Sequence, residues 1–308
     1  MNLSPIVLFV YNRPWHTRQT IKALQKNELA DRSNLFIYSD GPKDERTKKT
    51  IQKIRKYIHT IDGFKTVTIR EREKNMGLAG SIIDGVTDVV NKYGRVIVLE
   101  DDLITSPFFL SYLNKALAFY EDYPGVFSIS AYNHPAELMP FPADYEFDVY
   151  CNLRNSSWGW ATWINRWQRA DWQVSDFDNF IACKNKKRSF NLGGEDMVEM
   201  LSSQMKGEID SWAIRWSYAH FKHNAISICP VFSYVHNIGH DGSGEHCNES
   251  DRYNINLMKA VKCPQFINTI FVDERIMASF RNVYRKKRLP ARVLNFIVKI
   301  LRRKAWPF

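Results

Sequence analysis

An α/β fold, with a mostly parallel central sheet flanked by helices, is predicted by three observations. Short apolar runs at residues 5–10, 35–38 and 95–99 alternate, over the first 120 residues, with segments whose apolar positions recur at helical spacing. Each of these runs stops abruptly in polar residues: Asn12-Arg13, Ser39-Asp40-Gly41 and Glu100-Asp101-Asp102. Apolar residues make up 44% of the 308, which is ample for one large core.

The elements follow in order. Residues 5–10 form a buried strand and 17–26 a helix. Residues 35–38 are a second strand, closed by the turn composition of Ser39-Asp40-Gly41-Pro42. A charged helix spans 44–60, a strand 66–70, and a helix 78–93. Residues 95–99 are again strand, and Ser106-Pro107 supplies an N-cap and a first-turn proline for a helix reaching about residue 120. Strands alternating with helices imply βαβ units, whose ligands sit at the carboxyl ends of the strands. From about residue 127 the pattern becomes irregular, aromatic and rich in turns, with helices near 196–206 and 211–222. One domain over 1–280 is expected, in two halves of 1–125 and 126–280, followed by a basic tail at 281–308.

The net charge is confined to that tail. Of 43 Lys and Arg, ten fall in residues 281–308, which hold no Asp or Glu, leaving 33 basic and 33 acidic residues before it. A formally neutral body argues against nucleic acid as a partner. In the tail, Arg292, Asn295, Lys299, Arg302 and Arg303 share one helical face, and Val293, Leu294, Phe296, Ile297, Ile300 and Leu301 cover the other. That segregation predicts a helix lying on an anionic membrane surface through residues 285–308, or else one docked on the body. Five scattered cysteines without a CxxC spacing, no signal-peptide pattern and no membrane-length apolar run lead to the expectation of a cytoplasmic protein, peripheral at the inner face of the cell membrane. No GxGxxG or P-loop pattern is present, which weakens the dehydrogenase and kinase readings.

Three adjacent carboxylates after a buried strand repel one another unless a cation or solvent compensates. Mn²⁺ or Mg²⁺ suits them, because these ions take oxygen ligands and commonly bind one or two carboxylates together with substrate phosphates. A zinc site from His236, His240, His246 and Cys247 is the competing metal reading, with a spacing that fits no familiar pattern.

Several segments carry a family likeness: Val10-Tyr11-Asn12-Arg13-Pro14, Ser39-Asp40-Gly41, Asn75-Met76-Gly77-Leu78, Val98-Leu99-Glu100-Asp101-Asp102-Leu103, Ser157-Trp158-Gly159-Trp160, Ile209-Asp210-Ser211-Trp212 and the glycine-rich stretch from Asn237 to Gly244. In this order, over about residues 5–250, the chain resembles the GT-A glycosyltransferases, most closely N-acetylglucosaminyltransferase I and related bacterial sugar transferases. The resemblance implies a nucleotide-sugar-binding first half and an acceptor-side second half. It implies that Arg13 and Asp40 hold the uracil end of a UDP-sugar and that Asn75 and Gly77 belong to the same site. Glu100 and Asp101 would contact ribose or sugar, and Asp102 would be the direct metal ligand. Trp158, Gly159 and Trp160, with Trp163, would wall the sugar pocket. Asp210 would be the base that deprotonates an acceptor hydroxyl for an inverting attack; the family has two adjacent acids where this chain has Asp210-Ser211, so Glu208 and Glu195-Asp196 stay open as alternatives. Residues 237–246 would close over the donor, and the acceptor would be a glycan or lipid-linked sugar. A nucleotidyltransferase and a non-catalytic carbohydrate-binding protein are the competing functions.

Overall fold

A computed structural model describes residues 3–242 and 251–285. Its first half contains β1 (Ile6–Val10), α1 (Pro14–Gln25), β2 (Asn34–Ser39), α2 (Glu45–Ile58), β3 (Thr66–Glu71), α3 (Gly77–Tyr93), β4 (Arg95–Glu100), β5 (Leu103–Thr105) and α4 (Phe109–Phe119). There follow β6 (Val126–Ser130), β7 (Val149–Asn152), β8 (Trp160–Trp163), α5 (Ile164–Trp167), α6 (Phe177–Ala182), α7 (Lys184–Phe190), α8 (Met197–Met205), α9 (Trp212–Lys222), β9 (Ile226–Pro230), β10 (Val235–Asn237) and α10 (Glu274–Val283).

Eight strands form one sheet in the order β3-β2-β1-β4-β8-β6-β9-β7. The pairs β3·β2, β2·β1, β1·β4 and β6·β9 are parallel; β8 runs antiparallel to β4 and to β6, and β7 antiparallel to β9. Six strands therefore point their carboxyl ends at one edge. The second half departs from expectation here. Instead of an irregular extension it supplies β6 to β9, half of the same sheet. These strands are short, and β6, β7, β8 and β9 are buried along their whole length, so they lack the alternation that marks a half-exposed strand.

Burial on both faces is visible along β1. Ile6, Leu8 and Val10 join the core formed with α1, α2 and α4, whereas Val7 and Phe9 join the opposite core formed with α3, α5 and α9. The period of two sends alternate side chains to opposite faces. Local chemistry fixes the ends of the helices. Pro14 starts α1, Asp44 and Thr47 form a capping box on α2, Gly94 closes α3 at φ 79°, and Ser211 accepts from the Ile214 amide to cap α9.

Five of the nine tryptophans, Trp160, Trp163, Trp167, Trp212 and Trp216, are buried in these cores. Trp160 stacks on Trp212 at 4.8 Å between centroids. At about 1.5–3 kcal/mol or more for each large side chain removed from water, this cluster is a main source of stability. The expected domain boundary at 280 falls inside α10, which continues to Val283 and packs Ile276, Met277 and Phe280 against Met139 and Tyr150. The predicted tail helix at 291–304 lies outside the described residues. Among the described residues no helix is long and apolar enough to cross a membrane.

Candidate active site

The carboxyl ends of the adjacent strands β2, β1 and β4 bring Asp40, Arg13 and the acidic triplet to one edge, as their sequence positions predict. The three acids then diverge. Asp101 turns inward: its Oδ2 accepts from the Tyr11 amide at 3.2 Å and from Thr17 Oγ1 at 3.3 Å, and burial, then Asp102, push its carboxyl up to about 7. Glu100, partly buried, is raised well above the ordinary carboxylate range by burial and by both neighbouring acids. Asp102 alone reaches the edge with a cation beside it: Arg13 Nη1 donates to its Oδ2 at 2.9 Å. Burial raises its carboxyl too, and Arg13 opposes the shift. Arg13 Nη2 lies 2.9 Å from His16 Nε2, and Asp241 closes the cluster at 3.0 Å from that imidazole.

The ribbon of β5 and β10 lays the glycine-rich segment across Asp102. Leu103 pairs with Asn237, and the Ile238 amide donates to the Asp102 carbonyl at 2.9 Å. A Cβ on Gly239 would stand 2.2 Å from Asp102 Oδ2 and 3.0 Å from Arg13 Nη1. Only glycine lets backbone pass this close. The segment 237–242 is thus fastened along Asp102; residues 243–246 of the expected closing loop, and with them His246 and Cys247 of the zinc reading, lie outside the described residues. His236 Nδ1 accepts from the Ile255 amide at 3.3 Å, and His240 packs its ring edge against Trp158 at 5.3 Å.

Asp40 holds a loop. Its Oδ1 accepts from Gly41 and Met76 amides at 2.9 and 3.0 Å, and its Oδ2 from Met76 at 3.1 Å. Burial raises its carboxyl, and these backbone bonds counter the rise. Asn75 joins the same loop by donating to the Gly41 carbonyl at 2.9 Å. At the end of this loop stands Gly77, at φ 72°, where a Cβ would meet Asp210 Oδ2 at 2.9 Å. Asp210 is exposed and accepts from the Ala79 amide at 3.1 Å, so it caps α3 from the loop before α9. Of the alternative acids, Glu208 accepts from Ser203 at 2.8 Å on the surface, and Asp196 is held by Arg154 Nη1 at 2.8 and 3.0 Å.

Behind this edge lies a cavity of about 320 Å³. Ser211, next to Asp210, and His240, next to Gly239, both line it, with Trp158 and Tyr253 among its aromatic walls. Two expected wall residues are elsewhere. Trp160 is 1% exposed and Trp163 2%; the latter donates to the Leu117 carbonyl from within the core. Gly159, at φ 68°, serves packing: a Cβ there would meet Phe109 at 2.9 Å and Val235 at 3.1 Å. Sequence reasoning missed the cavity's polar residues from Tyr132 to His134. Their signal was available, since they follow β6 as the triplet follows β4, but β6 itself was not recognised.

No family model matches the chain, and no curated protein does. Solved structures do, loosely. A mannosyltransferase from Pyrobaculum calidifontis, in complex with GDP-Man and Mn²⁺, is 12% identical over 70% of this chain and 73% of its own, at a TM-score of 0.42. S. aureus TarS 1–349 in complex with UDP is 13% identical over 76% of this chain at 0.41, and this chain spans 59% of it. A glucosyl-3-phosphoglycerate synthase from Mycobacterium tuberculosis, with Mn²⁺ and UDP, is 13% identical over 53% of this chain and 57% of its own, at 0.33. Superpositions this loose assign no activity.

Proposed function

We propose that the chain is a nucleotide-sugar glycosyltransferase of the GT-A type, with Asp102 at the diphosphate, Asp210 as the base, and Arg13, expected at the uracil by the resemblance, at the diphosphate instead because it is paired with Asp102. The observation that carries this reading is the pairing of Asp102 with Arg13 at the carboxyl end of β4, under the backbone of Gly239 and beside a polar aromatic cavity. Crevices at the carboxyl ends of such sheets are where α/β proteins hold nucleotides.

Among the described residues no three His, Cys, Asp or Glu side chains gather in a way that could hold a metal ion. Among these residues a cation caged by protein alone does not fit; one that takes a carboxylate from Asp102 and its other ligands from phosphates and water does. Such an ion would offset the charge developing on the departing nucleoside diphosphate. Arg13, already 2.9 Å from Asp102, would turn its guanidinium to the phosphates once that carboxylate is engaged. Asp210 would take the proton of the acceptor hydroxyl as it attacks the anomeric carbon; its exposure leaves the carboxylate accessible to an acceptor. Uracil as the nucleobase, N-acetylglucosamine as the sugar and surface polysaccharide as the product belong to this proposal through the sequence resemblance. So does attachment of residues 285–308 to an anionic membrane, each Lys or Arg near such a surface contributing about 1 kcal/mol.

The test is release of UDP from UDP-sugars with Mn²⁺, with EDTA and with added glycan acceptor. Mn²⁺-dependent release that Asp102→Asn abolishes, in a variant that melts like the parent, supports the reading. Full activity in EDTA sinks the cation role. Nucleotide bound without release, whatever the sugar and acceptor, favours a binding protein. For the tail, the full chain should pellet with vesicles containing anionic lipid at low salt and stay in solution once residues 285–308 are removed; indifference to vesicles ends the membrane proposal.

A further inference from the structure

The cavity behind Trp158 has a chemical character of its own. Its aromatic walls include Trp158, whose ring meets Tyr132 at 4.3 Å and Tyr253 at 5.9 Å, and Tyr284, which comes from beyond the end of α10. Flat apolar rings that carry one polar edge suit the mixed surface of a sugar.

Its polar lining is neutral. Arg154 is the one permanently charged residue among those lining it, and that charge is already matched. Asp196 accepts from Nη1 at 2.8 and 3.0 Å, and the guanidinium lies 4.1 Å from the Tyr284 ring centroid. His134 sits between two phenols, Nδ1 at 3.1 Å from Tyr132 OH and Nε2 at 3.1 Å from Tyr284 OH. Burial, reinforced by Arg154 and Arg252, pushes it down to about 3, so it is uncharged at neutral pH. An anionic group entering here would lose its water and meet no uncommitted cation among the lining residues, so its desolvation would go uncompensated.

Two polar atoms are left over. Asn155 is 7% exposed, its Oδ1 accepts from Ser217 Oγ, and its Nδ2 is buried without a partner. His240 Nε2 is likewise buried and unpartnered. Both residues line the cavity. A buried polar group left unpaired is costly, and a ligand hydroxyl, which both donates and accepts, would recover that cost at either atom.

We propose that this cavity binds an uncharged hydroxylated ring, a neutral hexopyranosyl unit, and that Asn155 Nδ2 and His240 Nε2 read its oxygens. The proposal rests on the transferase reading only in taking that ring to be part of donor or acceptor. Charged sugars, whether uronic acids, sugar phosphates or sugars with a free amine, are excluded by the absence of an uncommitted counter-charge.

The experiment uses the full chain in EDTA without nucleotide, so that a failure of the transferase reading leaves it interpretable. Methyl glycosides of glucose, galactose and N-acetylglucosamine are compared with glucuronate, glucosamine and glucose 6-phosphate by saturation-transfer NMR and by tryptophan emission. At least one neutral glycoside should bind and perturb the emission, with its charged counterparts at least about tenfold weaker, the loss expected when a charge is desolvated unpaired. Asn155→Ala and, independently, His240→Gln should each weaken it about three- to tenfold while melting near the parent. If Asn155→Ala does not fold, His240→Gln decides. Equal or tighter binding of the charged sugars overturns the proposal, as does the absence of any neutral-glycoside signal or full affinity in both variants.

Discussion

At the scale of single residues the site is a set of close approaches. Gly239 leaves no room for a side chain, with its absent Cβ 2.2 Å from Asp102 Oδ2. Gly239→Ala should displace the segment from Asp102, lowering sugar-transfer turnover by a factor on the order of 10² through misplacement of about 1 Å. Its melting temperature should fall by only a few degrees, because the ribbon of β5 and β10 is otherwise kept. Wild-type turnover in this variant, measured by nucleotide release, would remove the segment from the site. Asp210 allows a finer separation, because it has two jobs. As a cap it needs an oxygen facing the Ala79 amide, 3.1 Å away; as a base it needs a negative charge. Asp210→Asn keeps the first and loses the second, so turnover should fall about 10²-fold or more at unchanged stability. Asp210→Ala should lose the same activity and, in addition, about 1 kcal/mol of stability. Should Asp210→Asn stay active, the carboxyl is a cap alone and the base lies elsewhere.

At the scale of elements, Asp40 shows how a strand end organises a loop. Both its oxygens are occupied by Gly41 and Met76 amides, and Asn75 ties the same loop back to Gly41. Asp40→Ala should therefore free residues 74–77, unseating Gly77 from beside Asp210, and cost about 1–3 kcal/mol through amides left unpaired. Asp40→Asn can keep the bonds through one oxygen. If Asp40 also contacts the nucleobase, Asp40→Asn should bind UDP more weakly while melting near the parent; if UDP binding follows stability in both variants, the role is the loop alone. The loop also explains what could be read beforehand. β1, β2 and β4 are apolar runs with a polar stop, and the stop is where parallel strands deliver chemistry, so Arg13, Asp40 and the triplet were legible. What the stops could not say was which way each carboxylate turns. Asp101 looks inward to Tyr11 and Thr17 while Asp102 looks out. The second half hid its strands because burial on both faces erases alternation, and Trp160 read as a wall because composition does not distinguish a core indole from a lining one.

At the scale of the whole molecule, two buried neutral histidines and one buried acid couple stability to pH in opposite senses. His220 has both nitrogens engaged, with Nδ1 at 2.8 Å from the Trp216 carbonyl and Nε2 at 2.9 Å from Ser128 Oγ. Burial brings it down to about 4, with a further push from His223. His134, between Tyr132 and Tyr284 and near Arg154 and Arg252, is brought down to about 3. From their ordinary 6.5 downward, the unfolded chain takes up protons that the folded chain refuses. The stability these residues contribute is complete above pH 6.5 and is lost as pH falls toward 4 and 3, at about 1.4 kcal/mol per pH unit for each group. Asp101 acts the other way: raised to about 7, it holds a proton in the fold where the unfolded chain does not, and so favours the folded state as pH falls from 7 toward 3.8. The total curve is consequently shallower than the histidines alone would make it. Their contribution appears in a difference. His220→Gln should melt below the parent at pH 7.5, because a satisfied core imidazole has been replaced. That gap should narrow steadily between pH 6.5 and 4.5, because the variant no longer carries a group that must charge on unfolding. Thermal melts of both proteins across this range decide it: parallel curves would mean that His220 titrates as freely in the fold as in water, contrary to its burial between Ser128 and Trp216.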